Sequence, residues 1–223
     1  MKKIWKTLPL LCTAALLLAS GFAFAQDKKD EKPKDEPKKE KVVAAEIGKA
    51  APGFELKDLA GKTVKLSDYK GKIVVLEWFN PDCPYCQGAY AEKGALRGLP
   101  EKLQKDGIVW LGINSTADTT ADANKLFFKD KGGLKTPLLL DNAGVVGHLY
   151  GAKTTPHCFV IDTKGNLVYR GALDNAPGGK LADGDKLTNY VEAAIAEVKA
   201  GKPVTKADTK SYGCGVHYAK PGP

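Results

Sequence analysis

Apolar residues along this chain follow two kinds of pattern, which predict strands and helices in alternation. Continuous apolar runs predict buried strands, and alternation of apolar and polar residues around a turn predicts β-hairpins. The predicted strands are residues 73–79, 108–113 and 138–140, the hairpins residues 54–66 and 159–169, and the helices residues 87–105, 118–131, 145–150 and 186–200. Their order indicates an α/β domain in which helices cover a central mixed sheet.

The first 45 residues are predicted to lie outside the domain. Residues 1–25 combine a lysine-rich start, an apolar stretch and a small-residue site at 23–25, which is typical of a cleaved signal peptide. The alternative is a retained membrane anchor, but a proline and a glycine interrupt the apolar stretch. Residues 26–45 are predicted to form a disordered charged linker. The predicted domain is residues 46–204 and the predicted C-terminal tail is residues 205–223.

Export changes how the charge and the cysteines are interpreted. The formal net charge is +8, and loss of the three lysines of the signal leaves about +5 without a concentrated basic stripe, so nucleic-acid binding is not expected. We expect an exported protein, periplasmic or otherwise extracytoplasmic, without stable membrane insertion after cleavage. An oxidising compartment permits disulfides, yet the four remaining cysteines are too few for a disulfide scaffold in a chain of this length.

One pair of cysteines lies where a predicted strand meets a predicted helix. Only Pro84 and Tyr85 separate Cys83 from Cys86, and a C-x-x-C at such a junction is typical of a thioredoxin-like redox site. A helix N-terminus favours a thiolate, so Cys83 is the candidate nucleophile and Cys86 the cysteine that resolves the mixed disulfide. The alternatives are a fixed disulfide or half of a zinc site, but the sequence has no second C-x-x-C and its three histidines are scattered.

An acidic residue in the preceding strand is the third candidate catalytic residue. Glu77 lies in the middle of the predicted strand at residues 73–79, where burial of a carboxylate is costly. Burial would raise its pKa, which suits a proton acceptor for Cys86 during disulfide exchange. The alternative is a solvent-facing position on a half-exposed strand.

Several motifs together resemble one known family. The motifs are APGF at residues 51–54, EWFNPDCP at 77–84, GINS at 112–115, TPHCFVID at 155–162 and GCGVHY at 213–218. They are similar to those of the redoxins, the alkyl hydroperoxide reductase/thiol-specific antioxidant (AhpC/TSA) group of thioredoxin-fold proteins. The resemblance covers about residues 46–218 and implies an α/β thioredoxin fold, with a central mixed β-sheet flanked by helices and an N-terminal β-hairpin extension.

The same resemblance implies roles for individual residues. Glu77 matches the buried acid of thioredoxins, and Pro156 matches their cis-proline, which packs beside the active disulfide. A trans bond would be the default for Pro156 from the sequence alone. Thr155 would offer its backbone to an extended substrate segment, so Thr155 and Pro156 are the candidate substrate-binding residues.

Departures from the family pattern decide between activities. Peroxiredoxins carry a proline and a Thr or Ser where this chain has Leu76 and Asn80. That difference argues against peroxidase chemistry, and the presence of Cys86 favours dithiol–disulfide exchange. The main hypothesis is therefore an exported thiol–disulfide oxidoreductase. The second is a thiol peroxidase acting through a Cys83 sulfenic acid, and the third is a metal-binding or metallochaperone domain that uses the two thiols with His157.

The hypothesis of disulfide exchange also predicts partners. We expect a disulfide-containing protein or small molecule as substrate, a separate thiol protein as electron donor or acceptor, and no cofactor.

Asp82 is expected to cap the helix that follows, although its charge would oppose a thiolate at Cys83. Cys158 is interpreted as a small buried hydrophobic residue. Cys214 has three open interpretations: a resolving cysteine, a disulfide partner for Cys158, or a packed residue of the tail.

Overall fold

A computed structural model of the chain describes residues 44–129, 131–133 and 135–220. The predicted signal peptide at residues 1–25 lies outside these residues, as does nearly all of the predicted linker at residues 26–45. Both therefore remain predictions, as do the proposed limits of the domain. In the described part of the chain, no helix is both long enough and apolar enough to cross a bilayer.

Seven strands form one mixed sheet, and two further strands pair separately. The strands in chain order are β1 (Glu55–Asp58), β2 (Thr63–Lys65), β3 (Val74–Trp78), β4 (Val109–Asn114), β5 (Leu138–Leu140), β6 (Thr154–Thr155), β7 (His157–Ile161), β8 (Leu167–Gly171) and β9 (Cys214–Gly215). The sheet has the order β2-β1-β5-β4-β3-β7-β8, and β6 pairs with β9. Strands β3, β4 and β5 are parallel, whereas β1, β7 and β8 run antiparallel to their neighbours. Both predicted hairpins and the predicted mixed sheet are confirmed.

Five α-helices accompany the sheet in the described residues. They are α1 (Pro84–Ala89), α2 (Leu99–Lys105), α3 (Ala121–Lys129), α4 (Val145–Tyr150) and α5 (Tyr190–Lys199). Helices α3 and α4 lie within the helices predicted from the sequence. Helix α5 begins later than predicted, at Tyr190, because the Asn189 side chain caps it by accepting a 3.0 Å hydrogen bond from the Glu192 N–H. Leu187, which belongs to the predicted helix at residues 186–200, lies before α5 and is 62% exposed.

The prediction of one helix over residues 87–105 is wrong. The chain instead forms α1, a run of turns, and then α2. Gly98 takes a left-handed conformation with φ of 74°, which a right-handed helix cannot continue, and Pro100 lies in the first turn of α2. Between the helices the chain folds back, so that the Leu96 N–H donates to the Ala89 carbonyl at 2.8 Å.

The central strand β3 is buried along its whole length and separates two apolar layers. Val74, Leu76 and Trp78 pack into one cluster, whereas Val75 packs into a second cluster with side chains of α5. Because successive side chains of a strand point to opposite faces, Glu77 lies on the same face as Val75. Each apolar side chain buried here contributes roughly 1.5–3 kcal/mol. The strand therefore holds Glu77 in a fixed position inside the second layer.

We expect Gly94→Ala to destabilise the fold, whereas Gly88→Ala should not. A Cβ atom at Gly94 would overlap the backbone carbonyl oxygens of Gly88 and Ala89, so the backbone itself would have to move. The expected loss in the free energy of unfolding is about 2 kcal/mol. Gly88 lies within α1 with open space around a Cβ, and alanine there should be neutral or stabilising by up to about 1 kcal/mol. Urea unfolding of both variants tests this, and equal effects would contradict the structure.

Candidate active site

Helix α1 begins at the first cysteine of the C-x-x-C. Cys83 is the N-cap residue, Pro84 takes the first helical position, and Cys83 is only 1% exposed. The expectation that Asp82 caps the helix is wrong. Asp82 is exposed outside the helix, and its backbone N–H donates to the Asn80 side chain at 2.9 Å. This hydrogen bond lies in the turn that connects the end of β3 to Cys83 at the start of α1.

The two thiols of the C-x-x-C have very different acidities. Hydrogen bonding to Cys86 is the largest contribution that holds the pKa of Cys83 well below its usual range. Burial opposes this effect, and hydrogen bonding to the Cys214 side chain lowers the pKa further. Burial raises the pKa of Cys86 well above its usual range, and hydrogen bonding to Cys83 and the charge of Glu77 act in the same direction. At neutral pH these shifts favour a thiolate at Cys83 and a neutral thiol at Cys86.

Glu77 is fully buried next to this pair. One of its carboxylate oxygens, Oε2, accepts hydrogen bonds from the Tyr90 hydroxyl at 2.6 Å and from the Trp110 ring N–H at 3.0 Å. The other oxygen, Oε1, has no hydrogen-bond partner among the described residues. Burial raises the pKa of Glu77 to about 7, and the two hydrogen bonds only partly oppose it. The carboxyl group therefore changes its charge near neutral pH.

Burial of Glu77 should make the fold less stable as the pH rises. The pKa is higher in the folded protein, about 7, than its ordinary value of 4.5. The folded state thus binds the proton more tightly, and its stability falls as the pH passes from 4.5 through 7. Between pH 5 and pH 8 the expected loss is about 2.5 kcal/mol in the free energy of unfolding.

Glu77→Gln should lack this part of the pH dependence. Urea unfolding of both proteins at pH 5 and pH 8 measures it, with the exposed Glu92→Gln as the matched control. The comparison between two pH values removes any constant cost of burying the amide. The same pH dependence in wild type and Glu77→Gln would contradict a raised pKa.

Two residues around Glu77 were not identified from the sequence. Tyr90 follows the C-x-x-C by four residues and Trp110 comes from β4, where it lies opposite Val75 in the parallel pairing. Both ring systems belong to apolar stretches, which the sequence alone assigns to the core. Only the register of β3 against β4 brings the Trp110 N–H to the carboxylate.

The predicted substrate-binding residues lie directly against Cys83. The Thr155–Pro156 bond is cis, as the resemblance implied. The Cys83 sulfur lies 2.9 Å from the Thr155 carbonyl oxygen, to which it donates a hydrogen bond when it is protonated. Thr155 is 2% exposed, and its hydroxyl oxygen has no hydrogen-bond partner in the ranges that the structure describes. The edge of β6 is occupied by β9, with Cys214 opposite Thr155.

The structure separates the two remaining cysteines. Cys214 packs in the same cluster as Cys83 and Cys86, whereas Cys158 lies in the apolar layer behind them, opposite Glu77 in the pairing of β3 with β7. Burial raises the pKa of Cys158 well above its usual range, which agrees with the interpretation as a buried hydrophobic residue. The proposal of a Cys158–Cys214 disulfide finds no support, because the two side chains belong to different clusters.

The surroundings of His157 do not favour a role as a metal ligand beside the two thiols. It is 5% exposed, burial lowers its pKa to about 4, and its Nδ1 accepts a hydrogen bond from the Lys153 N–H at 3.2 Å. Across residues 44–129, 131–133 and 135–220, no three side chains of His, Cys, Asp or Glu are arranged to hold a metal ion.

Comparison with known proteins identifies the family. The family model described as "AhpC/TSA family" matches residues 47–170, which is more than half of the chain. The chain belongs to the AhpC/TSA family. Its sequence is 35% identical over 123 residues to the thiol-disulfide oxidoreductase ResA of Bacillus anthracis, covering 55% of this chain and 68% of that protein. It is 32% identical over 128 residues to the thioredoxin-like protein YneN of Bacillus subtilis, covering 56% and 71% of the two chains.

Solved structures agree with this assignment at the level of the fold. A hypothetical protein, SMc02350 of Sinorhizobium meliloti, superposes with a TM-score of 0.68 at 26% identity, covering 79% of this AhpC/TSA protein and 96% of that chain. An uncharacterized conserved protein of Geobacillus kaustophilus also gives 0.68, at 27% identity and with 80% and 94% covered. The predicted α/β thioredoxin-like fold and the predicted family are confirmed.

Proposed function

We propose that this AhpC/TSA protein is an exported enzyme that exchanges disulfides through Cys83 and Cys86. It is a thiol–disulfide oxidoreductase, and it is similar to relatives that carry this name, among them ResA. The observation that carries the assignment of roles is the position of the pair: Cys83 is the N-cap residue of α1 and lies 2.9 Å from the Thr155 carbonyl oxygen, whereas Cys86 lies inside the helix. The pKa values of the two thiols agree with this assignment. Cys83 is held as a thiolate, which is the reactive form, while Cys86 is kept as a neutral thiol.

The exchange then runs in two balanced steps. The Cys83 thiolate attacks one sulfur of a substrate disulfide, a mixed disulfide forms, and the other substrate sulfur leaves as a thiolate. Cys86 then loses its proton and attacks the sulfur of Cys83, which forms the Cys83–Cys86 disulfide and releases the second substrate thiolate. A thiol protein that donates electrons restores the dithiol by the reverse sequence.

Glu77 is proposed to accept the proton of Cys86 in the second step. Its negative charge is one of the causes that raise the pKa of Cys86, which supports this role. One oxygen is engaged by Tyr90 and Trp110, and the other is without a hydrogen-bond partner in the described residues. A carboxyl group with a pKa of about 7 can take up and release a proton at neutral pH.

The backbone of Thr155 is proposed as the place where a substrate docks. Its carbonyl lies against Cys83, and a short strand of this kind can pair with an extended peptide. Such a peptide would bring its disulfide to the attacking sulfur, which favours a protein or peptide disulfide as substrate. The signal-like residues 1–25 support export to a periplasmic or other extracytoplasmic compartment, with no further membrane insertion.

A set of assays on the purified protein tests the function. We expect it to accelerate the reduction of insulin disulfides by dithiothreitol and to consume little hydrogen peroxide. Fast peroxide turnover that survives Cys86→Ser, with negligible insulin reduction, would instead establish the peroxidase hypothesis. One bound metal ion per chain that is lost with either cysteine would support the metal-binding hypothesis.

A further inference from the structure

A strand from the C-terminal tail occupies the edge that we propose for substrates. Strand β9 pairs antiparallel with β6, so that Cys214 lies opposite Thr155. Val216 continues the contact, with its N–H donating to the Lys153 carbonyl at 3.2 Å. An extended substrate peptide would need the same backbone groups. The tail and a substrate therefore compete for one edge.

The backbone approach is so close that only glycine fits before Cys214. Gly213 has φ of 126°, and a Cβ atom there would overlap the Thr155 carbonyl oxygen. This is the oxygen that the Cys83 thiol contacts at 2.9 Å. Gly215, on the other side of Cys214, has open space where a Cβ would lie. A Cβ atom would therefore disturb the pairing of the tail with β6 at Gly213 but not at Gly215, so alanine at Gly215 is the matched control for alanine at Gly213.

Contacts on both sides hold the tail strand in place. Before it, the Tyr212 hydroxyl donates to the buried carboxylate of Asp174 at 2.6 Å, and the Tyr212 ring lies 6.0 Å from that of Tyr85. After it, the ring of Tyr218 stacks on His148 with centroids 4.0 Å apart. Because both flanks are anchored, the strand between them is held against the active site.

Cys214 packs against the buried cluster that contains Cys83 and Cys86, and it lies opposite Thr155, whose carbonyl oxygen is 2.9 Å from the Cys83 sulfur. Hydrogen bonding to Cys83 raises the pKa of Cys214, so Cys214, like Cys86, is a neutral thiol beside a thiolate. Hydrogen bonding to the Tyr85 backbone only partly opposes this shift. Cys214 is partly exposed, whereas Cys86 is fully buried.

We infer that Cys214 is a third exchange cysteine of this site, and that the tail around it is an internal substrate. The inference rests on the proposed function, because it requires Cys83 to be the exchanging thiolate. It adds that Cys83 has two alternative disulfide partners within its own chain.

The exchange between the two partners needs no other reactant. In the oxidised protein, Cys214 loses its proton and its thiolate attacks the sulfur of Cys83. The Cys83–Cys86 bond breaks, the Cys83–Cys214 bond forms, and Cys86 leaves as a thiolate that takes up a proton. The number of disulfides is unchanged. In the new state the tail is bound covalently at the substrate edge, so substrates are excluded until a thiol attacks the Cys83–Cys214 bond.

Disulfide mapping in a chain without Cys86 tests the inference. Cys86→Ser would be incubated in millimolar oxidised and reduced glutathione, then alkylated, digested and analysed by mass spectrometry. We expect a Cys83–Cys214 disulfide, and about tenfold less glutathione on Cys83 than in Cys86→Ser/Cys214→Ser, because a tethered thiol acts at high effective concentration. Adding Gly213→Ala should remove most of this disulfide, whereas adding Gly215→Ala should preserve it.

Equal amounts of glutathione on Cys83 with and without Cys214 would overturn the inference, as would equal effects of the two glycine substitutions.

A substrate assay supplies an independent readout. Gly213→Ala in the otherwise wild-type chain should raise the rate of insulin reduction about threefold or more, since the edge is freed. If the wild-type protein reduces insulin but no Cys83–Cys214 disulfide forms, the inference is wrong and the proposed function is kept. If the disulfide forms but the wild-type protein does not reduce insulin, the proposed function is wrong.

Discussion

Cys83→Ser is expected to lower kcat/KM for disulfide exchange by a factor of at least about 10³, because a serine hydroxyl does not ionise at neutral pH and cannot replace the thiolate. Cys83 is the acidic member of the pair, and its thiolate is held by hydrogen bonds from neighbouring side chains. The readout is insulin reduction under saturating dithiothreitol. Activity within tenfold of wild type would show that another residue makes the attack.

Cys86→Ser separates the two steps and sharpens this result. With the attacking thiolate intact and the resolving thiol gone, the mixed disulfide between Cys83 and substrate should accumulate and be visible by mass spectrometry. Cys214 competes for this intermediate if it is an exchange cysteine, so the trap should be most complete in Cys86→Ser/Cys214→Ser. Cys158→Ala is the matched control, since Cys158 is buried in another cluster, and we expect its activity to stay within about twofold of wild type.

Glu77→Gln is expected to slow resolution of the mixed disulfide by about 10²-fold at pH 8, the loss typical of a missing proton acceptor. Glutamine keeps the shape of the side chain and can still accept from Tyr90 and Trp110, but it cannot take up the Cys86 proton. In the wild type the carboxylate is the active form and the pKa is about 7. The rate of resolution should therefore rise with pH up to about 7 and level off above it.

The pH profile distinguishes proton transfer from a structural role. Single-turnover decay of a glutathione mixed disulfide at Cys83, measured from pH 5.5 to pH 8.5, should lose its rise near pH 7 in Glu77→Gln. The exposed Glu92→Gln serves as the control and should keep the wild-type profile. A slower variant that retains the rise near pH 7 would place the titrating group elsewhere.

Local patterns were sufficient to predict most of the sheet and its chemistry. The apolar run that became β3, the two hairpins and the C-x-x-C at a strand-to-helix junction were all recognisable, because strand periodicity and short motifs are local properties. The place of Glu77 within that apolar run favoured a buried position over a solvent-facing one, and the structure has it buried. The single helix predicted over residues 87–105 failed because spacing of apolar residues does not reveal where a left-handed glycine, Gly98, interrupts a helix.

The contacts that set acidity and access were decided by the tertiary structure. Trp110 reaches Glu77 only through the register of two parallel strands, and Thr155 meets Cys83 across 72 positions of sequence. Hydrogen bonding to Cys86, within the C-x-x-C itself, is the largest cause that lowers the pKa of Cys83, and Cys214 from the distant tail lowers it further. The sequence instead pointed to a helix N-terminus, but α1 has only six residues.

The sequence by itself determined the family, the pair of redox cysteines and the buried acid, because each depends on residues that are near one another in the chain. The tertiary structure alone placed Cys214 beside Cys83. The sequence left Cys214 with three interpretations, since nothing local indicates that the tail at residues 214–215 pairs with β6 at residues 154–155. Long-range strand pairing depends on which backbone groups remain free once the core has formed, and a local sequence pattern does not contain that information.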